Sequence, residues 1–125
     1  MNEKSGSGAC RLLIVDDHAG VRTALQRMLS LVPDVQVVGV AESGEEAIAL
    51  AAAQRPTVVL MDVEMPGIGG VEATRRLKSL LPDLRVIGYS SDDRAEPMRA
   101  AGAAAFVRKG DPPERLLEAI RADGQ

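Results

Sequence analysis

Five polar residues stand directly after short apolar runs. Asp16 and Asp17 follow "RLLIV", Asp62 follows "TVVLM", Ser90 follows "RVIGY" and Lys109 follows "AAFVR". Three carboxylates brought together repel one another, and at least one of them is pushed toward its protonated form. A hard divalent cation removes that penalty. Mg²⁺ suits such a set, because it accepts one or two carboxylates together with waters and a phosphate oxygen. The Pro/Gly turn "VEMPGIGG" after Asp62 would aim a backbone carbonyl, that of Glu64, at the metal. Lys109 and Ser90 would offer a charge and a hydroxyl to an incoming anion. These groups fit phosphoryl transfer, which asks for cations and donors around spreading charge and little covalent chemistry from the protein. No Ser–His or Cys–His pairing is in view, so the nucleophile would be a carboxylate.

Those residues act together only if the chain folds their runs side by side. The runs Arg11 to Val15, Thr57 to Met61 and Arg85 to Tyr89 are nearly unbroken stretches of apolar residues, the pattern of strands covered on both faces. Ala104 to Arg108 is a fourth such segment. "VQVVGV" (Val35 to Val40) alternates more and reads as an edge strand. Helical patterns lie between them. Val21, Ala24, Leu25, Met28 and Leu29 share one helical face. Ser43 with Glu46 forms a capping box, and Val71, Thr74, Leu77 and Leu81 mark a helix stopped before Pro82. Asp111 with Glu114, and Pro112 just inside, opens the last helix. Arg94 to Ala101 is short and contains Pro97, so it is the weakest helical segment. Five alternations of strand and helix predict one doubly wound α/β domain, a parallel sheet with helices on both faces. In such a sheet Asp16, Asp17, Asp62, Ser90 and Lys109 all fall at the carboxyl edge, where open α/β sheets bind ligands.

Composition narrows the class further. With 46% hydrophobic and 26% charged residues, the chain can build a core and need not be disordered. Its net charge of -3 and the lack of a basic run argue against a direct nucleic-acid surface. No apolar stretch is long enough to span a bilayer. Residues 1–9 lack a signal-peptide core and read as a flexible tail, 10–122 as the domain, and 123–125 as its end or the start of a linker. The lone Cys10 cannot close an internal disulfide; a buried free thiol and a reducing cytoplasm are expected.

The stretches "LLIVDDH", "VVLMDVEMPGIGG", "VIGYSS" and "GAAAFVRKG" together resemble the response-regulator receiver domain of two-component signalling. "VRTALQRMLS", "VVGVAESGEEAIALA" and "RPTVVLMDVEMPG" resemble in particular receivers that precede a LuxR-type helix-turn-helix. The resemblance implies a flavodoxin-like fold with strand order 2-1-3-4-5. It also implies transfer of a phosphoryl group from a sensor histidine kinase to Asp62, with Mg²⁺, or Mn²⁺ as a substitute, as cofactor. Asp17, Asp62 and the Glu64 carbonyl would hold the metal directly, and Asp16 through a water. Lys109 would contact a phosphoryl oxygen. Ser90 would swing toward the phosphoryl group and Phe106 would turn inward after it, changing the face of the fourth helix, fifth strand and fifth helix. A receiver–receiver homodimer is the further partner it implies; DNA would be reached only through an output domain, and no membrane. Departures from the pattern are Phe106 in place of the frequent Tyr, Gly110 in place of Pro, Gly69 in place of a polar turn residue, and a segment after Ser90 shorter by about one helical turn.

Plainer readings compete. Asp62 could cap a turn, Asp16 and Asp17 could cap the first helix, and Ser91 competes with Ser90. Lys109 could be a solvated lysine and Phe106 plain core. His18 reads as a surface or hydrogen-bonding residue at a helix start. Two other functions compete as well: a receiver-like interaction module that works without phosphorylation, and a small Mg²⁺ phosphatase. The phosphatase would need a substrate-binding cap, for which the chain has no insertion. Glu64 and Asp92, each two residues beyond a site residue, are placed to tune the lifetime of a phosphorylated Asp62.

Overall fold

The structure, a computed structural model, describes residues 10–122. Five strands and five helices alternate: β1 (Cys10–Val15), α1 (Ala19–Ser30), β2 (Val35–Ala41), α2 (Gly44–Gln54), β3 (Val58–Asp62), α3 (Gly69–Leu80), β4 (Arg85–Ser90), α4 (Ala95–Ala100), β5 (Ala105–Arg108) and α5 (Pro113–Arg121). All strand pairs are parallel and the order is β2-β1-β3-β4-β5, which makes this a doubly wound, flavodoxin-like sheet. Every predicted strand lies within a residue or so of an observed one. The tail 1–9 and the end 123–125 fall outside the described residues.

The alternation of side chains along each strand feeds two cores. Leu12, Ile14, Val58, Leu60, Ile87 and Val107 pack against Leu25 and Leu29 of α1 and Leu116 and Ile120 of α5. Leu13, Val15, Val59, Met61 and Val86 point the other way, against Ala47 and Ala51 of α2, Ala73 and Leu77 of α3, and Met98 of α4. β3 is buried over its whole length, so its apolar run is what a central strand with two covered faces requires. β2 is an edge strand, as its alternation predicts, and a bulge shifts its register to β1 between Leu12 and Leu13.

The helix boundaries follow local chemistry. Ser43 caps α2: its Oγ accepts the Glu46 N–H at 3.1 Å, while Glu46 reaches back to the Glu42 N–H at 2.8 Å. The expectation for α5 needs correction. Pro112 is the cap residue, Pro113 is the first helical residue, and no side chain caps this end. Asp111 instead turns its carboxylate back to the Arg108 N–H at 3.2 Å, closing the turn after β5. The short segment after Ser90 does form a helix. Pro97 is its third residue, within the first turn, where no intrahelical N–H bond is lost. Cys10 is half-buried rather than buried, and that burial raises its thiol pKa.

Candidate functional site

The carboxyl edge of the sheet is assembled by backbone ladders that run one residue past the strands. The Asp16 N–H donates to the Ala41 carbonyl at 3.1 Å, and the Lys109 N–H to the Ser90 carbonyl at 2.9 Å. Asp62 is the last residue of β3, in register with Tyr89. These ladders fix where Asp16, Asp62 and Lys109 leave the sheet, and their side chains converge. Lys109 Nζ lies 3.2 Å from Asp16 Oδ2 and 3.3 Å from Asp62 Oδ1. Because β4 separates β3 from β5, the two backbones stand about two strand spacings, roughly 9–10 Å, apart. The lysine stem and the Asp62 side chain close that gap from both sides, and Nζ lies 5.4 Å from the Tyr89 ring centroid.

Burial makes this cluster electrostatically tense. Asp16 and Asp62 are 0% and 1% exposed. The Asp62 carboxyl is pushed up to about 6, first by burial, then by the Asp16 charge and the neighbouring Asp17 carboxyl, with Lys109 pulling the other way. Burial pulls the Lys109 ammonium down, but the charges of Asp62 and Asp16 outweigh it, so its pKa is raised. The hydrogen-bond inventory is incomplete on the acidic side. Asp62 Oδ1 has Lys109 and the Glu64 N–H at 3.4 Å, whereas Asp62 Oδ2 and Asp17 Oδ1 are both buried without a partner. An orphaned buried carboxylate oxygen is costly. Two in one cluster call for a cation, and the hard oxygen donors fit Mg²⁺.

Ser90 is fully buried at the end of β4, one residue past Tyr89. Its Oγ accepts the Asp92 N–H at 3.1 Å, so the hydroxyl is held in its own turn. Ser91 is exposed. Phe106 is half-buried in β5 opposite Gly88. Its ring lies so close that a Cβ at Gly88 would stand 2.9 Å from Cδ1. The Glu64 side chain turns outward to Arg94 at 3.5 Å, linking the loop after β3 to the start of α4. Asp17 and Asp16 do not cap α1; the cap residue is His18, which makes no side-chain cap bond.

His18 is exposed at the start of α1, as the sequence suggests, and it also borders the acidic cluster. Its Nδ1 lies 3.1 Å from Asp17 Oδ1 and 3.4 Å from Asp16 Oδ1. One ligand atom each from Asp16, Asp17, His18 and Asp62 falls within 4.8 Å of the others. The available signal was adjacency to the Asp16–Asp17 pair in the tight turn between β1 and α1. Beside these residues an apolar groove of about 830 Å³ opens between α1 and α5, lined by Val21, Ala24, Leu25 and Leu116 among others.

Residues 12–121 match the family described as the response regulator receiver domain. Response regulator GacA of Pseudomonas protegens is 47% identical over 114 residues, which is 89% of this chain and 54% of that protein. Response regulator UvrY of Escherichia coli K12 is 39% identical over 89% of this chain and 52% of its own length. The chain thus spans about half the length of the curated relatives it matches. Among solved structures, a LuxR-family two-component response regulator from Aurantimonas sp. SI85-9A1 superposes with a TM-score of 0.87 at 32% identity, covering 93% of this chain and 85% of that one.

Proposed function

The chain belongs to the response regulator receiver family, and on that premise we propose that Asp62 accepts a phosphoryl group from the phosphohistidine of a sensor histidine kinase. One observation carries the reading: Asp62 keeps one oxygen on Lys109 and leaves the other buried and unpartnered beside the orphaned Asp17 oxygen. Asp17, Asp62 and the Glu64 backbone carbonyl would hold Mg²⁺ directly and Asp16 through a water, with Mn²⁺ as a substitute. When bound, the cation neutralises carboxylate charge and stabilises charge on the transferring phosphoryl oxygens.

The remaining chemistry belongs to the chain. The unpartnered oxygen of Asp62 attacks phosphorus. The P–N bond breaks, the imidazole departs with the electron pair, and an acyl phosphate forms on Asp62. Lys109, already 3.3 Å from Asp62, pairs with a phosphoryl oxygen as charge builds there. Ser90 leaves the Asp92 N–H and donates its Oγ–H to a phosphoryl oxygen. Phe106, whose ring already lies beside Gly88, then turns further inward into the space that Ser90 vacates, which changes the face made by α4, β5 and α5. The phosphoryl group thus biases two states through contacts made in only one of them. The groove between α1 and α5, which opens next to Lys109 and Asp17, supports docking of a helical donor there.

In the wider protein we place this domain upstream of a DNA-binding output, with receiver–receiver pairing as a route to it, in the cytoplasm. No helix among the described residues is long and apolar enough to cross a membrane. Beryllofluoride with Mg²⁺ tests the switch. It should move the amide resonances of Ser90, Phe106 and α4 and raise the melting temperature by binding only the folded state. Unchanged spectra would favour an interaction module that works without phosphorylation.

A further inference from the structure

Asp16 is fully buried, and every polar atom it carries is engaged. Its N–H donates to the Ala41 carbonyl at 3.1 Å, Oδ1 accepts the His18 N–H at 2.9 Å and Oδ2 accepts Lys109 Nζ at 3.2 Å. The fourth bond comes from a residue that the phosphoacceptor chemistry leaves unused. Arg22 Nη1 donates to the Asp16 carbonyl oxygen at 2.8 Å, and among the described residues it is that oxygen's only donor.

Arg22 is the fourth residue of α1. Helical side chains lean toward the helix N-terminus, so a long one at this position reaches back over the turn that enters α1. A cation in a first helical turn opposes the helix dipole, and no acidic residue of that turn offsets it. What holds the guanidinium there is the bond to Asp16. The consequence falls on the next residue. The Asp16 C=O and the Asp17 N–H belong to one rigid peptide plane, so pinning the oxygen fixes the direction in which Asp17 leaves. Asp17 Oδ1 is buried and accepts no hydrogen bond; the backbone beneath it, rather than a bond to the side chain, sets where that oxygen points. Without Arg22 the buried carbonyl is left unpartnered, an unfavourable state, and the plane turns until the oxygen meets another donor or water.

We propose that Arg22 is a positioning residue of the acceptor site: by holding the Asp16 carbonyl it orients the Asp16–Asp17 peptide, and so keeps a carboxylate oxygen of Asp17 within 4.8 Å of one of Asp62. The consequence for chemistry rests on the phosphoacceptor reading above, whereas the pinning itself needs no metal.

Two variants of the full chain separate the bond from the bulk of the side chain. Arg22→Met keeps a long stem and loses the donor; Arg22→Lys keeps a donor. In Mg²⁺-free buffer the residual dipolar coupling of the Asp17 N–H reads the orientation of the peptide plane. It should move in Arg22→Met while the couplings along α3 stay, and return toward the wild-type value in Arg22→Lys. Mg²⁺ affinity in calorimetry should fall about tenfold or more in Arg22→Met, the scale on which residues that orient metal ligands count, and recover in Arg22→Lys. An unmoved Asp17 coupling in Arg22→Met overturns the proposal. A reoriented Asp17 with unchanged Mg²⁺ affinity overturns it too, and so does a lower urea midpoint with neither of the other two changes, the mark of a merely structural bond. A reoriented Asp17 in a chain whose wild type takes up no Mg²⁺ supports the pinning and sinks the magnesium reading instead.

Discussion

Asp62 sits where burial and like charge oppose its ionisation, so its titration carries information about stability. Its folded-state value of about 6 lies above the ordinary value near 3.9. Below pH about 4 the group is protonated in both folded and unfolded chains and costs nothing. Through pH 4 to 6 the unfolded chain loses its proton first, and above 6 the full penalty applies. In Mg²⁺-free buffer at pH 8, Asp62→Asn should therefore stabilise the domain by about 1–3 kcal/mol in urea unfolding. The gain should vanish near pH 4; an equal gain at both pH values would contradict this origin. Glu64 and Asp92 flank the same site. Glu64 is held outward by Arg94, and the Asp92 N–H holds Ser90 Oγ. Glu64→Ala and Asp92→Ala should each change the decay rate of Asp62 phosphate severalfold while leaving acceptance intact. If neither alters the decay, water access is set elsewhere.

The turn between β3 and α3 positions both Asp62 and Glu64, and glycine makes it possible. A Cβ on Gly70 would collide with the Asp62 carbonyl oxygen and stand 2.6 Å from Val63 Cα. Both obstacles are backbone and cannot rotate away. Gly70→Ala should thus cost several kcal/mol and lower the urea midpoint sharply; a loss under about 0.5 kcal/mol, the scale of an ordinary surface change, would mean the turn is looser than drawn. At this scale the sequence was largely legible. Apolar runs such as Thr57 to Met61 announce buried strands because length and periodicity fix where they stop. Ser43 with Glu46 announced the start of α2 for the same local reason. Asp111 misled because its carboxylate accepts the Arg108 N–H and closes the turn after β5, while Pro112 and Pro113, which follow it, have no N–H to offer. Local pattern does not record that competition.

Across the whole molecule, the sheet order places β1 beside β3 at the point where the winding reverses. Asp16 and Asp17 meet Asp62 there, although 45 residues lie between Asp16 and Asp62 in the chain. Residue types at strand ends gave the carboxyl edge, but strand order and register are long-range facts that no single run encodes. The reach of Lys109 over β4, the two orphaned oxygens and the approach of His18 emerged only in three dimensions. The central claim is that this convergence leaves Asp62 as a Mg²⁺-dependent phosphoryl acceptor. Intact-mass spectrometry after incubation with acetyl phosphate tests it directly. Wild-type protein should gain one phosphoryl group with Mg²⁺ and none with a chelator, and Asp62→Asn should gain none. Wild-type protein that stays unmodified with Mg²⁺, or an Asp62→Asn variant labelled equally well, would contradict it.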